Sequence, residues 1–297
     1  MSEPKPSITV AVDPTNPGQF FACCGLLELA DRLWPGAGAE GWFSDNGREF
    51  HIACGGHSLT ELLDAVVKCQ LSNTMTETQH ARFSEITAMK VAERKSTPGV
   101  EAEEKALGAL LREAAIVLGA PFDITLDWFT DKLSGGSRFK TWAGRQSVLD
   151  ISKAMKDALN ADMWRNEQCL SFSVTKCGLP FNFDSDLGGQ GGAIDVGFSF
   201  DPLAASALTR IESTARPALE LLAFVGLQRF RPEEIKGENR FLYTAWYRPL
   251  PVAVASPAAC GLLPIRDGCQ FEFRLLYRTK YLKSFLPAVP ATGGSDE

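Results

Sequence analysis

The chain has 297 residues, 45% apolar and 22% charged, with a formal net charge of −6 at pH 7. That length suits one large domain or two modest ones with a substantial core. The acidic balance argues against a free-standing nucleic-acid binder driven by bulk charge, and leaves room for a single basic face.

Ser7 to Val12 is a short strand candidate. It is followed by DPTNPGQFFACCGLLELADRLWP, Asp13 to Pro35, the stretch around which the chain is organised. Asn16 fits an N-cap and Pro17 the first helical position, where a missing N–H costs nothing. Phe20 to Leu27 is wholly apolar or glycine, which predicts a buried helix over 17–34. Gly25 disfavours a helix intrinsically and so marks a close approach by a neighbouring element. Gly41 to Phe43 and Glu49 to Cys54 read as strands joined by the turn Ser44-Asp45-Asn46-Gly47. Ser58 and Glu61 form a capping box for a second helix. His80 to Lys95 reads as a helix or a mobile insertion, and Glu101 to Leu118 as an amphipathic helix.

Phe122 to Phe129 alternates like a strand, and a helix is expected from about Gln146 to Asn160. Leu170 to Thr175 and Pro180 to Asp184 could pair. A glycine-rich loop, Leu187 to Gly192, precedes alternating Ala193 to Phe200. A second apolar helix is predicted over 216–230, with Pro217 near its start. Phe241 to Tyr247 and Cys269 to Tyr281 are the clearest late strands. The expected class is α+β, with an N-terminal order compatible with a ferredoxin-like or RNA-recognition-type core, a helical insertion and a strand-rich second half. The division is 1–130 and 131–297, or one continuous domain.

The run PTNPGQFFACCGLLELADRLWPGA with GWF at Gly41 to Phe43 resembles the start of a small large-subunit-type protein of type I-U (I-G) CRISPR systems. The resemblance continues in RPALELLAFVGLQRFRP, Arg216 to Pro232, and YTAWYRPLPVAVASPAACG, Tyr243 to Gly261. It spans most of the chain and includes no catalytic signature. It implies a non-catalytic subunit of an RNA-guided surveillance complex, with other CRISPR-associated subunits, guide RNA and target DNA as partners. In such assemblies guide pairing reads sequence while protein surfaces hold backbones, a division known from another CRISPR effector.

Two segments combine cations with aromatic rings, the chemistry that neutralises phosphates and stacks on bases. In the first, Lys132, Arg138, Lys140 and Arg145 bracket Phe139 and Trp142. From Asp131 to Arg165 seven basic residues face four acidic ones, a local +3 against −6 overall. A solvated loop around a core tryptophan is the alternative. In the second, a two-residue period puts Phe271, Phe273, Leu275, Tyr277 and Tyr281 on one face and Arg274, Arg278 and Lys280 on the other. A solvent-facing strand whose charges discourage aggregation is the alternative there. Arg229, Arg231, Arg240 and Arg248 are weaker candidates for the same surface.

Signals for catalysis are thin. His51 and His57 flank Cys54, which raises a Cys–His pair without a third orienting group. Asp184, Asp186, Asp195 and Asp201 surround the glycine loop with a spacing that matches no hard-cation loop. The loop itself lacks GxxxxGK[ST], so a nucleotide site is not favoured. Eight scattered cysteines without CxxC point to reduced thiols, and no zinc site, metal or cofactor is expected. No apolar run reaches about 18 residues, so no membrane span is expected. The N-terminus does not read as a signal peptide, and the expected location is cytoplasmic. A protein-only scaffold, or a metal-dependent hydrolase or nuclease, are the competing functions.

Overall fold

The structure, a computed structural model, describes residues 4–127, 148–160, 162–175, 181–188, 214–235, 238–278 and 281–291. It is an α+β arrangement built on antiparallel sheets. Strands β1 (Ile8–Ala11), β2 (Glu40–Phe43) and β3 (Glu49–Ala53) pair in the order β1-β3-β2. Helix α1 (Pro17–Leu33) connects the first two. This is the strand order of the first three strands of a ferredoxin-like core. No fourth strand flanks β1 among the described residues; β11 (Leu250–Pro251) instead joins the edge of β2.

Local sequence explains α1. Asn16 accepts a hydrogen bond from the Gln19 N–H at 3.3 Å, and Pro17 opens the first turn. Every residue from Pro17 to Ala30 is buried, because partners surround the helix. Phe20 stacks 5.3 Å from Phe43 of β2 and lies 4.3 Å from Tyr243 of β10 (Arg240–Trp246). Phe21 meets Phe273 of β12 (Gly268–Arg278) edge-on at 6.2 Å. So α1 sits against both sheets. The second sheet runs β13 (Tyr281–Phe285), β12, β10, β9 (Glu233–Ile235), with β14 (Val289–Pro290) also on β12.

The main partner of α1 is a helix, α8 (Pro217–Arg229), buried throughout from Pro217 to Leu227. The two run the same way. Gly18 lies against Leu219, Gly25 against Leu222 and Gly226, and Glu28 against Arg229. A Cβ added at Gly25 would lie 2.0 Å from the Leu222 carbonyl oxygen, and one at Gly226 would lie 2.0 Å from that of Phe21. Only glycine permits this reciprocal backbone contact. One apolar core joins residues of 1–130, such as Phe20 and Phe50, to residues of 131–297, such as Leu222 and Trp246.

Helix α2 (Leu59–Lys68) starts at the expected capping box, with Ser58 and Glu61 each satisfying the other's backbone N–H. A third sheet, β4 (Leu71–Asn73), β5 (Ile116–Leu118) and β6 (Ile124–Leu126), follows. Between β4 and β5 the chain makes α3 (Glu77–Ala88), α4 (Val91–Ser96) and α5 (Val100–Glu113). These close on a small core of their own: Met75, Ile86, Val100, Leu107 and Ala114. The expected helix to Leu118 is too long. Ile116–Leu118 is a strand paired with Leu71–Asn73, where β-branched Ile116 and Val117 favour the sheet.

Helix α6 (Val148–Ala158) falls within its expected range. The candidate pairing of Leu170–Thr175 with Pro180–Asp184 is corrected. Strand β7 (Val174–Thr175) pairs with β8 (Thr214–Ala215), while Leu170 lies in a turn. Residues 181–184 belong to no strand, Asn182 having a left-handed φ of 65°, and the Phe285 N–H donates to the Asn182 carbonyl at 3.0 Å. They lead into a single turn, α7 (Ser185–Gly188). Helix α9 (Val252–Ala259), unanticipated because Pro257 lies inside it, covers β10. No described helix is long and apolar enough to cross a membrane.

Candidate nucleic-acid interface

Strand β12 is the candidate surface that the structure describes. Phe271, Phe273 and Leu275 point into the core, and the exposed Arg274 points away from it. The alternation predicted from sequence therefore holds to Leu275. Beyond Leu276 the pairing with β13 shifts by one residue, the extra residue lying on β13. Arg278 lies in the strand, but its side chain is outside the described residues, as is Lys280. Lys132, Arg138, Phe139, Lys140, Trp142 and Arg145 also lie outside them.

Arg274 stands directly across from Arg240. The Arg240 guanidinium holds Glu272 through two nitrogens and also Glu238. Its hydrogen bonds hold the Glu272 carboxyl below the usual range. Arg240 and Arg274 against Glu238 and Glu272 sum to zero, so this part of the face is charge-balanced. Arg274 forms no ion pair with a described residue and is its available cation.

Of the weaker candidates, three are engaged. Arg229 reaches buried Glu28 at 2.8 Å, Arg240 is held as above, and Arg248 pairs with Asp267 at 3.2 Å. Glu28 also accepts from Arg32 at 2.6 Å, so it clamps the C-terminal ends of α1 and α8 together.

The Cys–His reading does not find nucleophile geometry. The Cys54 Sγ lies 3.2 Å from the Ser7 hydroxyl and donates to the His57 carbonyl, and burial pushes its thiol pKa up. The His57 ring instead stacks on Trp34 at 4.3 Å, and His51 Nδ1 lies 3.0 Å from the Thr9 hydroxyl. Asp195 and Asp201 lie outside the described residues. Among the described ones no group of three or more His, Cys, Asp or Glu could hold a metal ion.

Asp184 and Asp186 take part in a different constellation, at the N-terminal ends of α1 and α8. Asp184 Oδ1 accepts from Asn16 Nδ2 at 2.8 Å and from the Asp186 N–H at 3.1 Å. Arg216, the N-cap residue of α8, reaches Asp186 at 2.8 Å and Asp184 Oδ2 at 3.3 Å. Glu220, in the first turn of α8, accepts from the Phe183 N–H at 3.4 Å and the Asp184 N–H at 3.2 Å. Asn16, Asp184, Ser185 and Glu220 are each 1% exposed. Burial, then the Asp184 carboxylate, push Glu220 up to about 8; burial also raises Asp184, against the pull of Arg216. Sequence reading named Asn16, Asp184 and Asp186 for other roles and passed over Glu220. Its signal was a lone carboxylate inside the apolar run PALELLAF. No known protein family, curated protein or solved structure matches the chain.

Proposed function

We propose that this chain is a non-catalytic, cytoplasmic subunit of a type I-U/I-G CRISPR surveillance complex that contributes to holding guide RNA or target DNA. The observation that carries the reading is where the three resembling segments fall. Pro14 to Ala37, Arg216 to Pro232 and Tyr243 to Gly261 are far apart in sequence. They form α1, α8, β10 and α9, which share one core. Likeness that includes such a core is what a shared fold would leave. The exposed Arg274 offers a phosphate contact, with Arg278, Lys280 and the segment bearing Arg138, Lys140 and Arg145 as its proposed neighbours.

The charge balance around Arg240 favours a second reading, a scaffold that touches protein subunits only. Co-expression with the neighbouring CRISPR genes and a repeat array, then purification through a tag on this chain, separates the outcomes. The proposal expects a stoichiometric complex containing RNA of uniform length. Charge reversal at Arg274, Arg278 and Lys280 together with Arg138, Lys140 and Arg145 that left assembly and RNA retention unaltered would favour the scaffold. Emergence of the chain alone, while the other subunits assemble, would overturn both.

A further inference from the structure

The constellation at the helix N-termini has an excess of buried negative charge. Asp184 and Glu220 are each 1% exposed; among the described residues Arg216 is the cation that acts on Asp184, and Glu220 has no cationic partner. That guanidinium is shared with Asp186, which takes its shorter contact. Helix α1 faces the pair with neutral Asn16 and Gln19. On β13, Ser284 is buried and neutral. Helix α6, packed on α8, exposes Asp150, Lys153 and Asp157 and turns Lys156 to the Val67 carbonyl. Among the described residues three carboxyls therefore lie around one cation that pairs with two of them, Asp184 and Asp186, and two of the three, Asp184 and Glu220, are out of water. Ionising both would leave a buried charge uncompensated, which proteins avoid by retaining a proton.

The geometry also offers somewhere to keep it. Among the described residues Asp184 Oδ2 is buried and takes part in no hydrogen bond beyond its 3.3 Å ion pair with Arg216, and the neighbouring Ser185 Oγ is buried with no hydrogen-bond partner. Both oxygens of Glu220, by contrast, already accept backbone N–H groups. A proton on Asp184 Oδ2 displaces no hydrogen bond to a described residue; it weakens the 3.3 Å ion pair with Arg216, whose shorter contact to Asp186 remains.

We propose that Asp184 and Glu220 hold one proton between them, and that its loss in mildly alkaline solution loosens residues 181–186 from the N-terminal ends of α1 and α8. The pair titrates as a unit, so the proton belongs to the site and not to one residue. Residues 181–186 are the element released. Glu220 holds their backbone and Asn16 their Asp184 side chain, while the Asn182 carbonyl ties them to β13. A group whose folded pKa lies above its unfolded value makes the folded state bind the extra proton. Stability then falls as pH rises through the window from the ordinary carboxylate range to about 8.

The test uses the full chain. Urea midpoints are measured between about pH 6 and about pH 9, with hydrogen exchange of residues 181–186 corrected for the intrinsic base-catalysed rate. The wild type is expected to lose midpoint and local protection across that range. Glu220→Gln should flatten both profiles, and Asp184→Asn should move the loss to lower pH by removing the neighbouring charge. A wild-type profile without the fall overturns the proposal, and so does the same fall in Glu220→Gln. Should Glu220→Gln not fold, Asp184→Asn decides: an unmoved transition overturns the shared proton.

Discussion

Gly25 and Gly226 set the distance between the two most buried helices. Each places its backbone where the other's side chain would otherwise stand, and the obstructing atoms are carbonyl oxygens of Leu222 and Phe21. A backbone oxygen cannot swing aside as a side-chain tip can, so a methyl group at either position forces the helices apart. Gly25→Ala should lower unfolding free energy by about 3 kcal/mol in chemical denaturation. Gly36→Ala, with open space around its Cβ, serves as the control and should be near neutral. A neutral Gly25→Ala would mean that the helices do not cross at this point. The clamp one turn further along the pair has the opposite logic. There Glu28, buried, is satisfied by two partly exposed arginines, Arg32 and Arg229, which keep one side in water.

At the scale of elements, the α3–α5 arm leaves and re-enters the body at one point. Asn73 is the register partner of Ile116, and the Thr74 N–H donates to the Ala115 carbonyl at 3.1 Å. Replacing residues 74–115 with an Asn-Gly turn should therefore close β4 and β5 into a hairpin. The shortened chain should melt cooperatively, with the smaller loop-closure entropy raising stability by about 2–3 kcal/mol. Loss of cooperative melting would show that the arm supports the body. For β12, Arg274→Ala, Arg278→Ala and Lys280→Ala combined should reduce the salt sensitivity of nucleic-acid retention under the proposed function. An unchanged salt titration would remove this strand from the interface. Helices announced by a cap were legible in sequence: Asn16-Pro17 for α1, Ser58 with Glu61 for α2 and Pro217 for α8. The arm carried a similar signal, Thr76 with Gln79, that was not recognised before α3. Strands β5 and β13 were less legible. Ile116–Leu118 continues the apolar face of α5, and Tyr281–Phe285 follows β12 after two residues. Of the candidate interface, the inward and outward sides of β12 could be read up to Leu275. The register shift beyond Leu276 adds a residue to β13, a feature of the pairing that a strand's own period does not contain.

At the scale of the molecule, the core is assembled from distant segments. A fragment of residues 1–130 would retain β1–β3 and α1 but lose α8, β10 and β12, leaving Phe20, Phe21 and Leu26 without much of their cover. Such a fragment should fail to show a cooperative transition and should bind a hydrophobic dye. A cooperative melt of the isolated fragment would show that its half of the core is sufficient. The same separation has a consequence in time. Glu28 and its α8 partner Arg229 lie 201 residues apart. At ordinary synthesis rates α1 leaves the ribosome about 10–40 s before α8 exists to cover it. Throughout that interval a helix with no polar face of its own has to be sheltered by transient contacts or by a chaperone. The chain is therefore most vulnerable to aggregation while half made, and its yield in cells should respond to translation speed and chaperone supply.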